Sequence, residues 1–453
     1  MTVSADGDVR RTFARDASGM ELLPESVVRP RDEQDVVDAL RAAGAARATI
    51  TVAGAQTSTT GASITDRGAL MSLRALDQRI EIDTARRRVR AACGVIVADL
   101  RRACAEAGLL FTPDPTSDET CTVGGAVACN ASGARSFAYG ATRPHVSALR
   151  VAFADGGVEE FRRSRIEKNT AGYLMAHEPV DWFVGSEGTL GIVLEAEFSL
   201  LPLPKRTTGL AVPFRSEAAA LAFVVAARES TTVRPRCLEY TDAEATGFMR
   251  HAAADAAWAR GAAAMIYTED SGDDEEPPLD AWLTLIEAHG GMADDLRVFD
   301  GEAALREARR LRHAVPTAMH TRAAPFLSKG GRRVSTDWAV PYRQVADAVD
   351  ASRRAADALG IAHAVTYGHA GDGHPHQNWV ARDPDELRVM ERCVETTLHD
   401  VLARGGTVAA EHGIGKLKKK WLPLQLGARQ FAAMRALKHA LDPQGVLAPG
   451  NLW

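Results

Sequence analysis

"PDPTSDETCTVGGAVACNASGARSFAYG", residues 113–140, sets two prolines that fix an extended turn ahead of paired glycines and an Asn-Ala-Ser-Gly corner. Two shorter glycine stretches flank it, "VAGAQTSTTGA" (52–62) and "GSEGTLGIV" (185–193). The first supplies small residues and hydroxyls after a strand, where backbone N–H groups can approach an anionic group closely. It is neither GxGxxG nor GxxxxGK[ST], which argues against an ordinary dinucleotide fold or a P-loop. The third is a polar glycine loop running straight into a strand. Each stretch alone reads as a structural turn; three in one domain, in this order, are hard to explain as turns alone.

Around these loops, residues 26–205 read as an α/β domain of short strands. "DVVDALRAAGA" has helical periodicity, "ATITVAGA" is a strand entering a glycine turn, and a helix is expected from Val97 to Gly108. Further strands are "RIEID", "RVRAACG", "LRVAFADGG" and "IVLEAEFSLLPLP". From 206 to about 400, strand-like runs ("TTGLAVPF", "AAAMIYTED") alternate with long alanine- and arginine-rich helices. The acidic stretch "EDSGDDEEPPLD" (269–280) reads as a solvated loop, and helical runs are expected at Cys393–Arg404 and Phe431–Leu441.

At 453 residues the chain exceeds the size of a single core, so two or more domains are expected. A composition of 46% apolar and 25% charged residues, with net charge −5, points to no nucleic acid and no anionic membrane. No segment offers the ~18 uninterrupted apolar residues of a spanning helix, and no secretory leader is evident, so a cytoplasmic location is expected. Six cysteines without metal-ligand spacing read as small buried hydrophobes.

In "GHAGDGHPHQN" (368–378), a strand ending at His369, a turn through Gly371, Asp372 and Gly373, and a strand returning from His376 would bring two imidazoles to one end of a hairpin. A metal site, a phosphate loop and a tight turn all fit the spacing, and a decorated turn is the commoner outcome for such a pattern alone. Glu411, in "EHGIGK", could complete a His, His, carboxylate set with open positions.

The order "VAGAQTSTTG", "PDPTSDETCTVGG", "NASG", "YG", "VGSEGTLGI" resembles the FAD-binding domain of the vanillyl-alcohol oxidase/PCMH flavoprotein superfamily. "YGHAGDGHPHQN", "EHGIGKLK" and "LDPQGVLAPG" resemble the C-terminal half of its FAD-linked 2-hydroxyacid dehydrogenases: D-lactate dehydrogenases, the glycolate oxidase flavin subunit and D-2-hydroxyglutarate dehydrogenase. The resemblance runs from Glu21 to Trp453. It implies an α+β protein: a PCMH-type FAD-binding domain of two α/β subdomains (21–205), an antiparallel-sheet-and-helix cap that receives substrate (206–405), and a final segment (406–453) returning to the flavin domain. Gly54, Gln56, Thr57, Ser58 and Gly61 match its pyrophosphate loop. Pro113, Asp114, Thr122, Gly124, Gly125, Ser132 and Gly133 match its central flavin stretch, and Glu187, Gly188 and Ile192 its adenine-side loop. "AGAQTS" lacks the histidine used by members that attach FAD covalently, so non-covalent FAD is expected. Ala448-Pro449-Gly450 departs from the family's Asn-Pro-Gly, which puts one polar contact to the flavin in doubt.

The same resemblance turns the hairpin toward a divalent metal, zinc first, on His369, His376 and Glu411. His374 stands where asparagine is common; a hydrogen bond stiffening the turn is preferred there over a further ligand. The implied reaction oxidises a 2-hydroxy acid, D-lactate or a relative, by metal-assisted proton abstraction and hydride transfer to flavin N5. His412 is the expected general base, with a supporting role beside the metal as its alternative. Asn378 aligns with a residue that helps hold substrate. Arg312 is the first choice for the substrate carboxylate, against Arg310, Arg332 and Arg333. Ser335 replaces a substrate-binding lysine of some relatives, so a second acidic group on the substrate is in doubt. No iron–sulfur module is fused, and the electron acceptor is expected to be separate: an electron-transfer protein, cytochrome or quinone. A homodimer is compatible with the family. Two other readings stay open, a non-redox FAD enzyme of the alkylglycerone-phosphate synthase type and a flavin subunit of a larger glycolate oxidase-like complex.

Overall fold

The computed structural model describes every residue except Arg165, Ala256 and Glu275. It divides into two compact units: residues 1–133, 140–203 and 411–453 form the first, and residues 134–139 and 204–410 the second.

Among the described residues the first unit carries two larger sheets and a two-stranded pair, Leu201–Pro202 with Leu109–Leu110. Strands Thr2–Ser4, Ser26–Arg29, Ala69–Ser72 and Ile50–Ala53 are ordered in that sequence across one. The helix Glu33–Ala46 belongs to this half: Asp32 caps it by accepting the Asp35 N–H, and Val36, Leu40 and Ala43, at helical spacing, are buried against Ile50 and Met71. The second sheet runs Ile80–Asp83, Arg88–Ala92, Ile192–Ser199, Val146–Ala152, Val158–Arg162. Its core takes Val97, Leu100 and Cys104 from the helix Val97–Glu106. Residues 411–453 return to this unit, where Val446 and Leu447 join the core of the first sheet and Leu447 bridges Ile50 in parallel.

The second unit is a seven-stranded antiparallel sheet, ordered Arg297–Asp300, Arg206–Phe214, Ala264–Gly272, Pro235–Asp242, Val365–His369, His374–Ala381, Arg332–Ser335. Along the 23-residue helix Gly301–Ala323, Leu311, Val315 and Met319 recur every four residues and pack with Met265 and Val365 on one sheet face. Trp379 and Ala381 pack with Cys393 of the helix Pro384–Ala403 in a separate core. The mixed helix-and-sheet class expected from the sequence holds.

Two local expectations are corrected. The acidic stretch is not all loop: Glu269 and Asp270 lie on the strand Ala264–Gly272 and are buried. Their charges are met inside, since Arg135 donates to both Glu269 oxygens (2.8 and 2.9 Å) and Asp270 takes Arg206 (3.0 Å) and the Trp282 indole N–H (3.2 Å). Glu275, in the same stretch, lies outside the described residues. The two late helices also start earlier than expected, at Pro384 and Ala428. Five of the six cysteines are buried and Cys129 partly so, and burial pushes the thiols of Cys93, Cys104 and Cys129 up to about 12.

Candidate functional site

In the second unit the hairpin is built as the sequence implies, except that the returning strand begins at His374, not His376. His369 faces His374 across it, Tyr367 faces His376 and Val365 faces Asn378. With side chains alternating along a strand, His374, His376 and Asn378 share one face. Gly373 makes the turn at φ 76°, and a Cβ there would lie 1.9 Å from the Val340 carbonyl oxygen. No side chain fits.

The turn gathers three imidazoles. Ring centroids are 5.4 Å apart for His369 and His374, 5.5 Å for His369 and His376, and 4.4 Å for His374 and His376. Each ring offers a nitrogen within 4.8 Å of the others'. Nδ1 of His369 is 2.5 Å from Glu239 Oε1, and Nδ1 of His376 is 3.3 Å from the Thr336 carbonyl oxygen. An imidazole held at Nδ1 by a carboxylate or carbonyl presents Nε2 in a fixed orientation, the usual support of a metal-ligating histidine. Convergent, buried nitrogen donors of this kind fit a divalent transition metal. The supporting residues were missed from sequence; the signal was a lone acid, Glu239, in the otherwise apolar start of the strand "CLEYTD".

Arg312 stands beside this cluster. Its Nε donates to Glu239 Oε2 at 2.5 Å, and its Nη2 is 3.5 Å from His369 Nδ1. Burial raises the Glu239 carboxyl, but Arg312 and His369 outweigh it and bring it down to about 2. Of the competing arginines, Arg310 is paired with Glu307 on the helix surface and Arg332 with Glu391. Arg333 lies 3.2 Å from His320 Nε2. Asn378 is 1% exposed, and both its amide atoms lack a hydrogen-bond partner. Its neighbour across the strands is Ser335, which is exposed. A buried amide without partners is what a ligand-binding position shows before its ligand is counted.

The first unit holds the residues expected to bind FAD. A Cβ on Gly54 would meet Thr122 Oγ1 at 2.4 Å, and one on Gly133 would meet the Asp114 carbonyl oxygen at 2.1 Å, so the loops cross where only glycine permits. Thr122 caps the helix Val123–Cys129 by accepting the Gly125 N–H, and a Cβ on Gly124 would meet Cys93 at 2.8 Å. Pro113 and Asp114 are buried, Ser132 and Thr57 partly so, and Gly61 and Gly188 take positive φ. The hydroxyls of Thr59 and Thr112, one inside the pyrophosphate loop and one just before Pro113, are buried without a hydrogen-bond partner. Orphan donors beside a glycine cradle fit a polar, phosphate-bearing cofactor.

Four further side chains of that set make contacts within the protein itself. Gln56 donates to the carbonyls of Phe13 and Arg15, at 2.9 and 3.1 Å. Ile192 is buried in the core of the first sheet. Glu187, at φ 52°, accepts the N–H groups of Ile414 (2.6 Å) and Gly415 (2.7 Å). Burial raises its carboxyl, and those two N–H groups oppose the rise. Ser58 accepts the N–H groups of Thr60 and Ala62.

Those bonds fix the "EHGIGK" loop. The Thr60 carbonyl takes the N–H groups of Lys416 and Leu417, and Thr60 Oγ1 donates to the His412 carbonyl. His412 Nε2 lies 3.4 Å from Glu411 Oε1. Lys416, missed from sequence, donates to the Gly61 carbonyl (3.1 Å) and to Asn451 Oδ1 (2.6 Å). Ala448, where asparagine is usual in the resembling family, takes φ 46° and donates its N–H to the Ile50 carbonyl.

Residues 203–452 match the family model of FAD linked oxidases, C-terminal domain, and residues 24–162 match that of an FAD binding domain. A Bacillus subtilis protein named glycolate oxidase subunit GlcD is 31% identical over 98% of this chain and 92% of its own length. A D-2-hydroxyglutarate dehydrogenase of Xanthomonas citri pv. viticola is 30% identical over 95% of this chain and 89% of its own. A D-lactate dehydrogenase of Archaeoglobus fulgidus is 30% identical over 94% and 90%. Among solved structures, an alkyldihydroxyacetonephosphate synthase superposes with a TM-score of 0.73 at 17% identity, covering 99% of this chain and 83% of that one, a likeness of fold. With both family models matched and full-length relatives at this identity, the chain belongs to the FAD-linked oxidases and is an FAD-dependent oxidoreductase.

Proposed function

We propose that this protein oxidises a small 2-hydroxy acid, D-lactate or a close relative, to the 2-oxo acid. The observation that carries the proposal is the buried imidazole pair His369 and His376, each held at Nδ1, in a chain that belongs to the FAD-linked oxidases. The names of the relatives support the same class of substrate.

Bound FAD supplies the acceptor for the hydride leaving the α-carbon, and a divalent metal, zinc by donor type, supplies the positive charge that eases loss of the hydroxyl proton. His369 and His376 would hold that ion through imidazole nitrogen. The carboxylate of the set is Glu411, the residue after Ala410, whose N–H donates to the Asp337 carbonyl at 2.9 Å. His412 takes the hydroxyl proton on its imidazole. Arg312, kept in place by Glu239, pairs with the substrate carboxylate, and the unpartnered Asn378 amide completes the substrate's polar contacts. Thr57, Ser58, Thr59 and the glycines at 54 and 61 cradle the FAD diphosphate, with no covalent tether. A separate electron-transfer protein, cytochrome or quinone would take the two electrons.

Anaerobic mixing of the purified flavoprotein with a panel of D- and L-2-hydroxy acids tests this directly. Bleaching of the visible flavin band by at least one of them is expected. A band that no 2-hydroxy acid bleaches, with dithionite still reducing it, overturns the assignment.

A further inference from the structure

His374 has no part in the reaction just proposed, yet it is placed as carefully as the two histidines that do. It is 4% exposed and faces His369 across the hairpin. It shares a strand face with His376, centroid to centroid 4.4 Å. Turn stiffening does not account for it. The Gly373 N–H donates to the Ala370 carbonyl and the Val340 N–H to the Gly373 carbonyl, each at 3.0 Å, so backbone bonds already close the turn.

The ring also has an acidic neighbour. Asp337 Oδ1 lies 3.2 Å from His374 Nε2, with both side chains buried. Yet His374 Nε2 makes no hydrogen bond. An acid at that distance outside hydrogen-bonding geometry leaves the imidazole oriented but unsatisfied, which is costly in a buried site unless something else takes its nitrogen. The outer contacts of the neighbouring rings complete the pattern. Glu239 holds His369, Thr336 holds His376, and Asp337, the next residue in the chain, stands against His374. Two of the imidazoles are thus held at Nδ1, the third has a carboxylate beside a nitrogen left without a hydrogen bond, and all three offer nitrogens within 4.8 Å of one another.

We propose that His374 is a third imidazole ligand, so that the hairpin alone supplies three nitrogens to the ion. Such a nitrogen-rich set selects ions such as Zn²⁺ or Co²⁺ over Mg²⁺, Ca²⁺ or Mn²⁺, which favour oxygen. The inference rests on the metal reading given under the proposed function.

X-ray absorption on zinc- or cobalt-loaded wild-type protein counts the imidazoles directly, and three are expected. His374→Asn should show two and lose about tenfold or more in metal affinity, read by competition with a chelator, while its FAD content is unchanged. Two imidazoles in the wild type, or a His374→Asn protein with unchanged affinity and ligand count, overturns the role of His374 and leaves the metal reading intact. A wild type that takes up neither Zn²⁺ nor Co²⁺ overturns both. If His374→Asn does not fold, the wild-type spectrum decides alone.

Discussion

Nδ1 of His369 lies 2.5 Å from Oε1 of Glu239, and both side chains are buried almost completely. Because Arg312 shares the same carboxylate and keeps it ionised, Glu239 fixes which nitrogen of His369 faces the site. Glu239→Gln should therefore weaken metal binding by about 10- to 100-fold in chelator competition, the usual cost of losing such a support. Unchanged affinity would show that the Glu239–His369 contact only fills space.

His369→Ala, His376→Ala and Glu411→Ala should each abolish turnover and leave the flavin absorbance intact, because none of them lies in the glycine loops matched to FAD. If dialysis against a chelator leaves full activity and elemental analysis finds no metal, the hairpin is structural.

His412→Asn separates a base from a support. A positioned base contributes about 10²- to 10⁴-fold, so the anaerobic rate of flavin reduction should drop by that much with metal and FAD content unchanged. Near-normal reduction by His412→Asn would hand the proton to another acceptor.

Acid precipitation should release all the FAD into the supernatant, since no histidine stands in "AGAQTS". Yellow colour in the washed pellet would mean a covalent link elsewhere.

Burial pushes the Lys416 ammonium down to about 8, from an ordinary value of 10.5. Between those values the unfolded chain binds more protons than the folded one, so the contribution of Lys416 to stability rises with pH through that window. In flavin-free protein, the denaturant midpoint of the wild type relative to Lys416→Met should climb from pH 8 towards pH 10. A flat or falling difference means that the lysine keeps its charge when folded.

The hairpin was legible because its signal is local: glycines at 371 and 373 around Asp372, with extended runs on both sides. The FAD binding domain was legible from the order of its glycine stretches. What supports the site was not, because Glu239 meets His369 across 130 positions and only the strand register brings them together. The acidic stretch misled for a related reason. Charge density in a sequence reads as solvent, and nothing near Glu269 announces Arg135 as its buried partner. His374 read as a turn residue because Asp337, 3.2 Å from its Nε2, lies elsewhere in the chain.

The first unit is written in three pieces, and its third piece, residues 411–453, follows all of the second unit. This has a consequence for synthesis. On the ribosome, residues 1–133 and 140–203 emerge long before Val446 and Leu447, which complete the core around Ile50, and before Asn451, whose amide donates to the carbonyls of Ala62 and Glu187. Some 200 residues of another unit are therefore synthesised between the second and third pieces of the first. A nascent chain cut short within the second unit lacks Val446, Leu447 and Asn451, and with them part of the core around Ile50 and the bonds to Ala62 and Glu187.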